Sequence, residues 1–328
     1  MTNIALAIHG GAGTILRSQM TPILEAEYRG GLETALKIGW AILEKGGGAL
    51  DAVESTVCSL EDFPLFNAGC GAVFTHEGKV ELDAAIMDGH LLKAGAVTFV
   101  TNIKNPVKLA RLVMERTEHI LLAGEGANQF AEQMGIKAEA DEYFFTEHRW
   151  LQLQQAIADE RIQLDHASSP LYEAGVAGAS DDRVVLAERS KKPIGTVGAV
   201  ACDSNGFLAA ATSTGGMTNK KFGRVGDTAI IGAGTYADDT CAVSCTGHGE
   251  YFMLAATAFD VAARMKYKGL ELDAAAKETI DHLTEIKGEG GLIAVDSTGN
   301  VTLPFNSDGM YRGSIRSNGE MNIDIYSI

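Results

Sequence analysis

The sequence predicts an α+β fold of mainly antiparallel sheets packed on one another, with helices outside. Three observations predict it. Segments of strand character flank segments of helical character on both sides of a long polar stretch, without the regular alternation of a parallel, doubly wound sheet. One hairpin pattern is used twice. "TVGAVACDSNGFLAAATSTGGM" and "GGLIAVDSTGNVTLPFNSDGM" match at a constant offset, with Asp203 against Asp296, Gly206 against Gly299, Thr214 against Ser307, Gly216 against Gly309 and Met217 against Met310. The 38 glycines are too many for a helical bundle, follow no triplet repeat, and gather at strand ends and turns.

Taken in order, "IALAI" (residues 4–8) reads as a short buried strand that stops at "HGGAG". Residues 18–45 read as a helix, because Leu32, Leu36, Trp40 and Leu43 recur every three to four positions, and the glycines at 46–48 end it. A second helix carries Ala52, Val53, Val57 and Leu60 on one face. Residues 72–89 suggest a hairpin turning at His76-Glu77-Gly78, and "AGAVTFV" another strand. Asn105-Pro106 is a good helix start. From about 141 to 192 the chain is polar, with one amphipathic piece at 150–157; so long a connection is functional or disordered. Two helices, 249–268 and 272–286, separate the two hairpins.

With 328 residues and 21% charged side chains, the chain can bury a substantial core. A net charge of -16 repels phosphate backbones and argues against nucleic acid as a partner. The five cysteines have no paired, redox or zinc spacing and read as small buried hydrophobes in a reducing compartment. The N-terminus lacks the basic and apolar regions of a secretion signal, and no apolar run is long enough to span a bilayer. A soluble cytoplasmic protein is expected.

The candidate sites are few. "HGGAG" follows a strand but lacks the Lys-Ser/Thr of a phosphate loop and any partner G-x-S-x-G elbow, so a tight turn near a site is the simpler reading. The eight histidines have no zinc spacing; His9, His76, His119 and His248 read as structural or surface residues, and a catalytic metal is not expected. Nothing local supports a Ser-His-Asp triad, although sequence alone leaves one open.

Thr196 stands at the border between the polar stretch and an apolar strand. It could be only a strand former. Yet Gly195 offers no side chain to hinder attack on its carbonyl, the preceding segment is dispensable to a core, and the rigid strand behind would hold the hydroxyl in place. A threonine hydroxyl needs a base. Cutting the chain before Thr196 would free an α-amine with an ordinary pKa of about 8, suited to that task. Thr214 ends the same hairpin and could lie beside it, or be a turn residue. Arg224 could grip a carboxylate and Asp227 an ammonium, or the two could form a loop ion pair. Thr246 and the glycines of "SCTGHGE" could stabilise an oxyanion, or Thr246 could simply cap a helix.

Taken together, "HGGAG" (9–13), "PLFNAGCGAVF" (64–74), "GTVGAVA" (195–201), "TSTGG" (212–216), "GRVGD" (223–227) and "SCTGHGE" (244–250) closely resemble the plant-type asparaginases. These are also isoaspartyl peptidases, of the N-terminal nucleophile hydrolase superfamily. The likeness covers nearly the whole chain. It implies a four-layer αββα sandwich over 1–328, made as a precursor that cuts itself between Gly195 and Thr196 into parts 1–195 and 196–328, which pair as an (αβ)2 heterotetramer. It implies Thr196 as nucleophile with its own amine as base, Thr214 hydrogen-bonded to it, and an oxyanion hole of Thr246 and Gly247 with Asn67 nearby. Arg224 would hold the substrate α-carboxylate and Asp227 its α-amine, with Gly249 also lining the substrate site. A structural sodium would sit on main-chain carbonyls of Leu60, Glu61, Phe63, Phe66, Ala68 and Cys70. The implied substrates are L-asparagine and β-aspartyl dipeptides. A glycosylasparaginase and an uncleaved, non-catalytic family member are the alternatives. Phe63 and His248 are bulkier than the family pattern, and His248, between the two glycines, bears on substrate range.

Overall fold

The computed structural model describes residues 4–167 and 195–327. Among the described residues the elements are β1 (Ala5–Gly13), α1 (Pro22–Glu44), α2 (Ala49–Glu61), β2 (Leu82–Asp88), β3 (Lys93–Val100), α3 (Pro106–Arg116), β4 (Leu121–Ala123), α4 (Gly124–Gln133) and α5 (Glu147–Ala167). They continue with β5 (Val197–Cys202), β6 (Leu208–Thr214), β7 (Thr235–Ala237), β8 (Cys241–Gly247), α6 (Gly249–Ala255), α7 (Thr257–Lys268), α8 (Leu272–Glu285), β9 (Gly290–Asp296), β10 (Val301–Thr302), β11 (Gly309–Arg316) and β12 (Met321–Tyr326). The larger sheet runs β12-β11-β1-β5-β6-β2-β3-β4 and the smaller β10-β9-β8-β7. Every pairing is antiparallel except β3 with β4. The fold is therefore α+β with two mainly antiparallel sheets, as the sequence predicts.

Two-residue alternation sorts most of the apolar side chains into three large clusters. Val197, Ala199 and Ala201 of β5 join Leu6, Ile8, Ala84 and Ile86 against Leu32, Leu36, Val53, Val57 and Leu109 of α1, α2 and α3. The alternate residues Val200 and Cys202, with Ala5 and Ala7, meet Ala242, Ile293 and Val295 of the smaller sheet. On that sheet's other side Cys241, Val243, Leu292 and Ala294 pack against Val261, Ala262, Ala276 and Leu283 of α7 and α8. β5 is buried along its whole length, so the residue at its head is held by a rigid element.

Several boundaries differ from the sequence reading, each for a local reason. β1 does not stop before "HGGAG" but runs through it, with a bulge between His9 and Gly11 that keeps it paired to β11. The first helix starts at Pro22, not residue 18, because the Thr21 hydroxyl accepts from the Leu24 amide and caps it there. Asn105 precedes α3 without capping it; its side-chain amide donates to Asp62 instead. The turn at 75–78 forms, but its first arm pairs with Asn219 and Lys220, and β2 takes β3 and β6 as partners. Residues 249–268 are two helices, broken at Ala256, which has φ of 47°. The amides of Ala258 and Phe259 donate to the carbonyls of Ala233 and Gly232 rather than continuing the preceding helix. The repeated hairpin keeps its turn, with Asp203 and Asp296 each accepting from amides two and four residues on. Its second copy has a returning strand of only two residues, β10. Pro304 cannot donate to a ladder.

The polar stretch is helical at its start. Arg149 of α5 is buried and donates to the carbonyls of Gly71 (2.9 Å) and Leu65 (3.0 Å), tying that helix to the loop 62–72. The remainder of the expected linker, 168–192, lies outside the described residues.

Candidate active site

Strand register brings the threonines together. Val197 pairs with Ser213, so the next residue, Thr196, falls beside Thr214 at the end of β6. Both are buried. The Thr196 hydroxyl donates to Thr214 Oγ1 at 3.2 Å. Thr214 Oγ1 accepts the Gly216 amide at 3.0 Å and donates to the Gly195 carbonyl oxygen at 3.0 Å.

That carbonyl oxygen has a second donor. Asn67 Nδ2 donates to it at 2.7 Å and to the Gly216 carbonyl at 2.8 Å. Asn67 Oδ1 accepts from the Val73 amide at 2.9 Å, which fixes the orientation of the side-chain amide. Two donors on one carbonyl oxygen polarise the Gly195 carbonyl toward attack, and the adjacent hydroxyl is that of Thr196. Among the described residues, no His, Asp or Glu side chain hydrogen-bonds the Thr196 hydroxyl.

The "HGGAG" strand covers the same peptide bond. Gly11 has φ of 116°, and a Cβ there would lie 3.0 Å from Gly195 Cα and 3.3 Å from Thr196 N. Glycine is required for the backbone to come this close. The motif is thus a bulged strand lying on the candidate scissile bond.

A narrow pocket joins Thr196, Thr214, Gly216, Met217, Arg224, Gly226, Asp227, Thr228 and Gly247. A wider one, lined by Thr75, Lys79, Glu81 and residues 220–223, holds none of the candidate residues. Arg224 does not pair with Asp227. Its Nε and Nη2 form a fork with Glu250, at 2.8 and 2.9 Å. The Arg224 hydrogen bond holds the Glu250 carboxyl below its ordinary range, and no local pattern in the sequence marks Glu250 for this role. The Nη1 side of Arg224 remains beside the pocket, above Gly226. Asp227 is buried, one carboxylate oxygen has no hydrogen-bond partner, and burial pushes its pKa up to about 7. Gly249 lies between them: a Cβ there would be 2.7 Å from Asp227 Oδ1 and 3.0 Å from Arg224 Nη2.

Thr246 is the penultimate residue of β8 rather than a helix cap; the residue before α6 is His248. Thr246 Oγ1 accepts the Ala12 amide at 3.1 Å, which leaves its own proton to donate. His248 flanks α6 with Tyr251 nearby, outside the narrow pocket.

The loop 60–70 has the chemistry for a weakly bound cation. The carbonyls of Phe63, Phe66 and Ala68 each accept one amide, leaving a second lone pair, while that of Leu60 accepts the amides of Asp62 and Phe63. The chain curls so tightly that a Cβ on Gly69 would lie 2.3 Å from the Glu61 carbonyl oxygen. The Glu61 carboxyl is buried, accepts the Val107 amide on one oxygen, has no partner on the other, and is pushed up to about 8 by burial. Phe63 packs on Phe66 and Gly31. Carbonyl oxygens with a free lone pair are the kind of ligand a hard cation takes.

His9 also belongs here, although its spacing gave no sign of it. It is fully buried, with Nδ1 3.0 Å from the Thr196 carbonyl oxygen and Nε2 2.8 Å from Ser244 Oγ. The Ser–His contact is not a hydrolytic dyad, because Ser244 is itself completely buried and Nδ1 faces a carbonyl rather than a carboxylate.

The chain is similar to known proteins along almost its whole length. A family model described as Asparaginase matches residues 2–325. The isoaspartyl peptidase of Salmonella typhimurium is 50% identical over 314 residues, covering 95% of each chain. The plant-type L-asparaginase of Pyrococcus abyssi is 44% identical over 313 residues, 94% of each chain. The isoaspartyl peptidase/L-asparaginase of Xenopus laevis is 41% identical over 326 residues, 98% of this chain and 94% of its own. With a match that spans almost every residue and relatives this similar along their whole lengths, the chain belongs to the asparaginase family.

Proposed function

We infer that the chain is an autoproteolytically activated amidohydrolase acting on β-aspartyl dipeptides and L-asparagine. The observation that carries this is the doubly hydrogen-bonded Gly195 carbonyl beside the Thr196 hydroxyl. In the precursor, Thr196 Oγ attacks the Gly195 carbonyl carbon. Asn67 and Thr214 stabilise the oxyanion, the C–N bond breaks, and the hydroxyl proton ends on the departing nitrogen. Water then hydrolyses the Gly195 ester and leaves Thr196 with a free amine. In the mature enzyme that amine takes the Thr196 hydroxyl proton while Oγ attacks the substrate's side-chain carbonyl. Thr246 and Gly247 receive the oxyanion. Ammonia or an amino acid leaves with the proton, and water releases L-aspartate from the ester.

Arg224 and Asp227 read the substrate's zwitterion. Glu250 holds one edge of the guanidinium, leaving Nη1 for the α-carboxylate. The unpartnered oxygen of Asp227 accepts the α-ammonium. Gly249 keeps the space between them clear. Arg224→Ala is expected to cut itself normally and to raise KM about 10- to 100-fold. Steady-state kinetics on β-Asp-Leu check it, and an unchanged KM removes Arg224 from substrate binding.

Asp227 also gives a pH dependence. Its pKa is raised by burial to about 7, so the free enzyme loses the carboxylate as pH falls through 7. Affinity for L-aspartate should therefore weaken by up to about tenfold per unit below that point and level off above it. Titration calorimetry from pH 5.5 to about 8.5 measures this slope. Asp227→Asn should bind weakly without it; the same slope in that variant would assign the titration to another group.

The finer architecture is part of the same reading. The succession of α1–α3, larger sheet, smaller sheet and α7–α8 supports a four-layer αββα sandwich. The parts 1–195 and 196–328 would stay together after cleavage and pair as an (αβ)2 heterotetramer. The carbonyls of Leu60, Glu61, Phe63, Phe66, Ala68 and Cys70 would hold a sodium ion that braces the loop carrying Asn67. Five free, buried cysteines suit a reducing compartment such as the cytoplasm. Among the described residues no helix is long and apolar enough to cross a membrane. Release of leucine from β-Asp-Leu and of ammonia from L-asparagine by the purified protein tests the activity; neither release would refute it.

A further inference from the structure

We propose that His9 is a positioning residue for the nucleophile: its buried, neutral imidazole fixes the Thr196 carbonyl and ends a one-way chain of hydrogen bonds that spans both sheets. The proposal rests on Thr196 being the nucleophile. It explains a buried polar group that the catalytic steps do not use.

The proton positions follow from the partners. A carbonyl oxygen can only accept, so Nδ1 carries the proton it shares with Thr196 O. Complete burial pushes the imidazole down to about 3, so the ring is neutral and Nε2 is a bare acceptor. Ser244 therefore donates to Nε2 at 2.8 Å. With that proton committed, Thr212 must donate to Ser244 at 2.7 Å. Thr235 in turn donates to Thr212 at 2.7 Å. All four side chains are fully buried. The chain runs from β7 through β6 and β8 to His9 on β1 and ends at the head of β5.

Strand periodicity gives the chain its significance. Thr212 is two residues before Thr214 on β6, and Ser244 is two before Thr246 on β8. Residues two apart share a face of a strand. The network is therefore a second polar row directly behind the candidate catalytic row, crossing from one sheet to the other. Its last bond fixes the carbonyl of Thr196, and with it the rotation of the residue that carries both hydroxyl and amine. After cleavage Thr196 has no preceding peptide bond to hold it. The His9 contact then becomes a principal tether of the new chain end, and its loss should misorient the nucleophile without touching the groups that bind substrate.

The test compares His9→Leu, His9→Asn and Ser244→Ala with the wild-type enzyme. Leucine fills the space with no donor. Asparagine can place its amide nitrogen where Nδ1 stands. We expect His9→Leu to slow precursor cleavage and to lower kcat on β-Asp-Leu about 10- to 100-fold, the cost of one unsatisfied buried acceptor, with KM within about twofold. His9→Asn should restore most of both rates. Ser244→Ala leaves His9 in place but interrupts the chain, and should lower kcat several-fold at unchanged KM. That arm decides the question if the leucine variant does not fold. Wild-type rates in His9→Leu, equal impairment in the leucine and asparagine variants, or wild-type kcat in Ser244→Ala would each overturn the proposal. A wild-type protein that is neither cut nor active would instead remove the reading of Thr196 beneath it.

Discussion

Thr196→Ala is expected to remain one uncut chain and to hydrolyse neither β-Asp-Leu nor L-asparagine. Nucleophile and base are the hydroxyl and amine of one residue, so a single substitution removes the first and prevents the second from being freed. The loss should approach the about 10⁶-fold seen when a hydrolase loses its nucleophile. Folding should survive, since the hydroxyl's only hydrogen bond among the described residues is to Thr214, which keeps the Gly195 carbonyl and the Gly216 amide as partners. Thr196→Ser retains a hydroxyl at the same place and should both cut and turn over. An alanine variant that is processed and active would mean that another group attacks.

Asn67→Ala should have the second largest effect, and it should fall on maturation. Its Nδ2 is the closer of the two donors on the Gly195 carbonyl, 2.7 Å against 3.0 Å for Thr214. Losing one oxyanion donor costs about 10²- to 10³-fold in rate. A time course of precursor on a denaturing gel reads this directly. The same substitution leaves the Val73 amide and the Gly216 carbonyl unsatisfied. Asn67→Asp controls for the Val73 amide, because a carboxylate can still accept from it but can donate to neither Gly195 nor Gly216. Both variants should accumulate precursor. Cleavage at the wild-type rate in both would leave Thr214 as the sole oxyanion donor and take Asn67 out of the mechanism.

Much of this was legible before the structure. The α+β class followed from strand blocks on either side of helical ones. Thr196, Thr214, Arg224, Asp227 and Gly247 do line one pocket. What could not be read is set by long-range packing. The break at Ala256 depends on carbonyls of Gly232 and Ala233, more than twenty residues earlier in the chain. The first arm of the apparent hairpin at 72–89 is taken by residues 219 and 220, a partner that no local pattern announces. "HGGAG" looked like a stop because glycines end strands, yet here they let β1 bulge and lie against the Gly195–Thr196 bond. His9 and Glu250 carry no local signal of their roles for a related reason. Their roles are pairings with residues far away in sequence, 187 positions for His9 with Thr196 and 26 for Arg224 with Glu250. Spacing rules detect ligands and helix neighbours, not contacts made across two sheets.

The central claim is that the working enzyme begins a chain at Thr196. Intact-mass analysis and N-terminal sequencing of a freshly purified, active sample test it most directly. Two fragments, the smaller opening with Thr-Val-Gly-Ala-Val, are the expected result. Full activity in a sample whose 195–196 peptide bond is unbroken would contradict it.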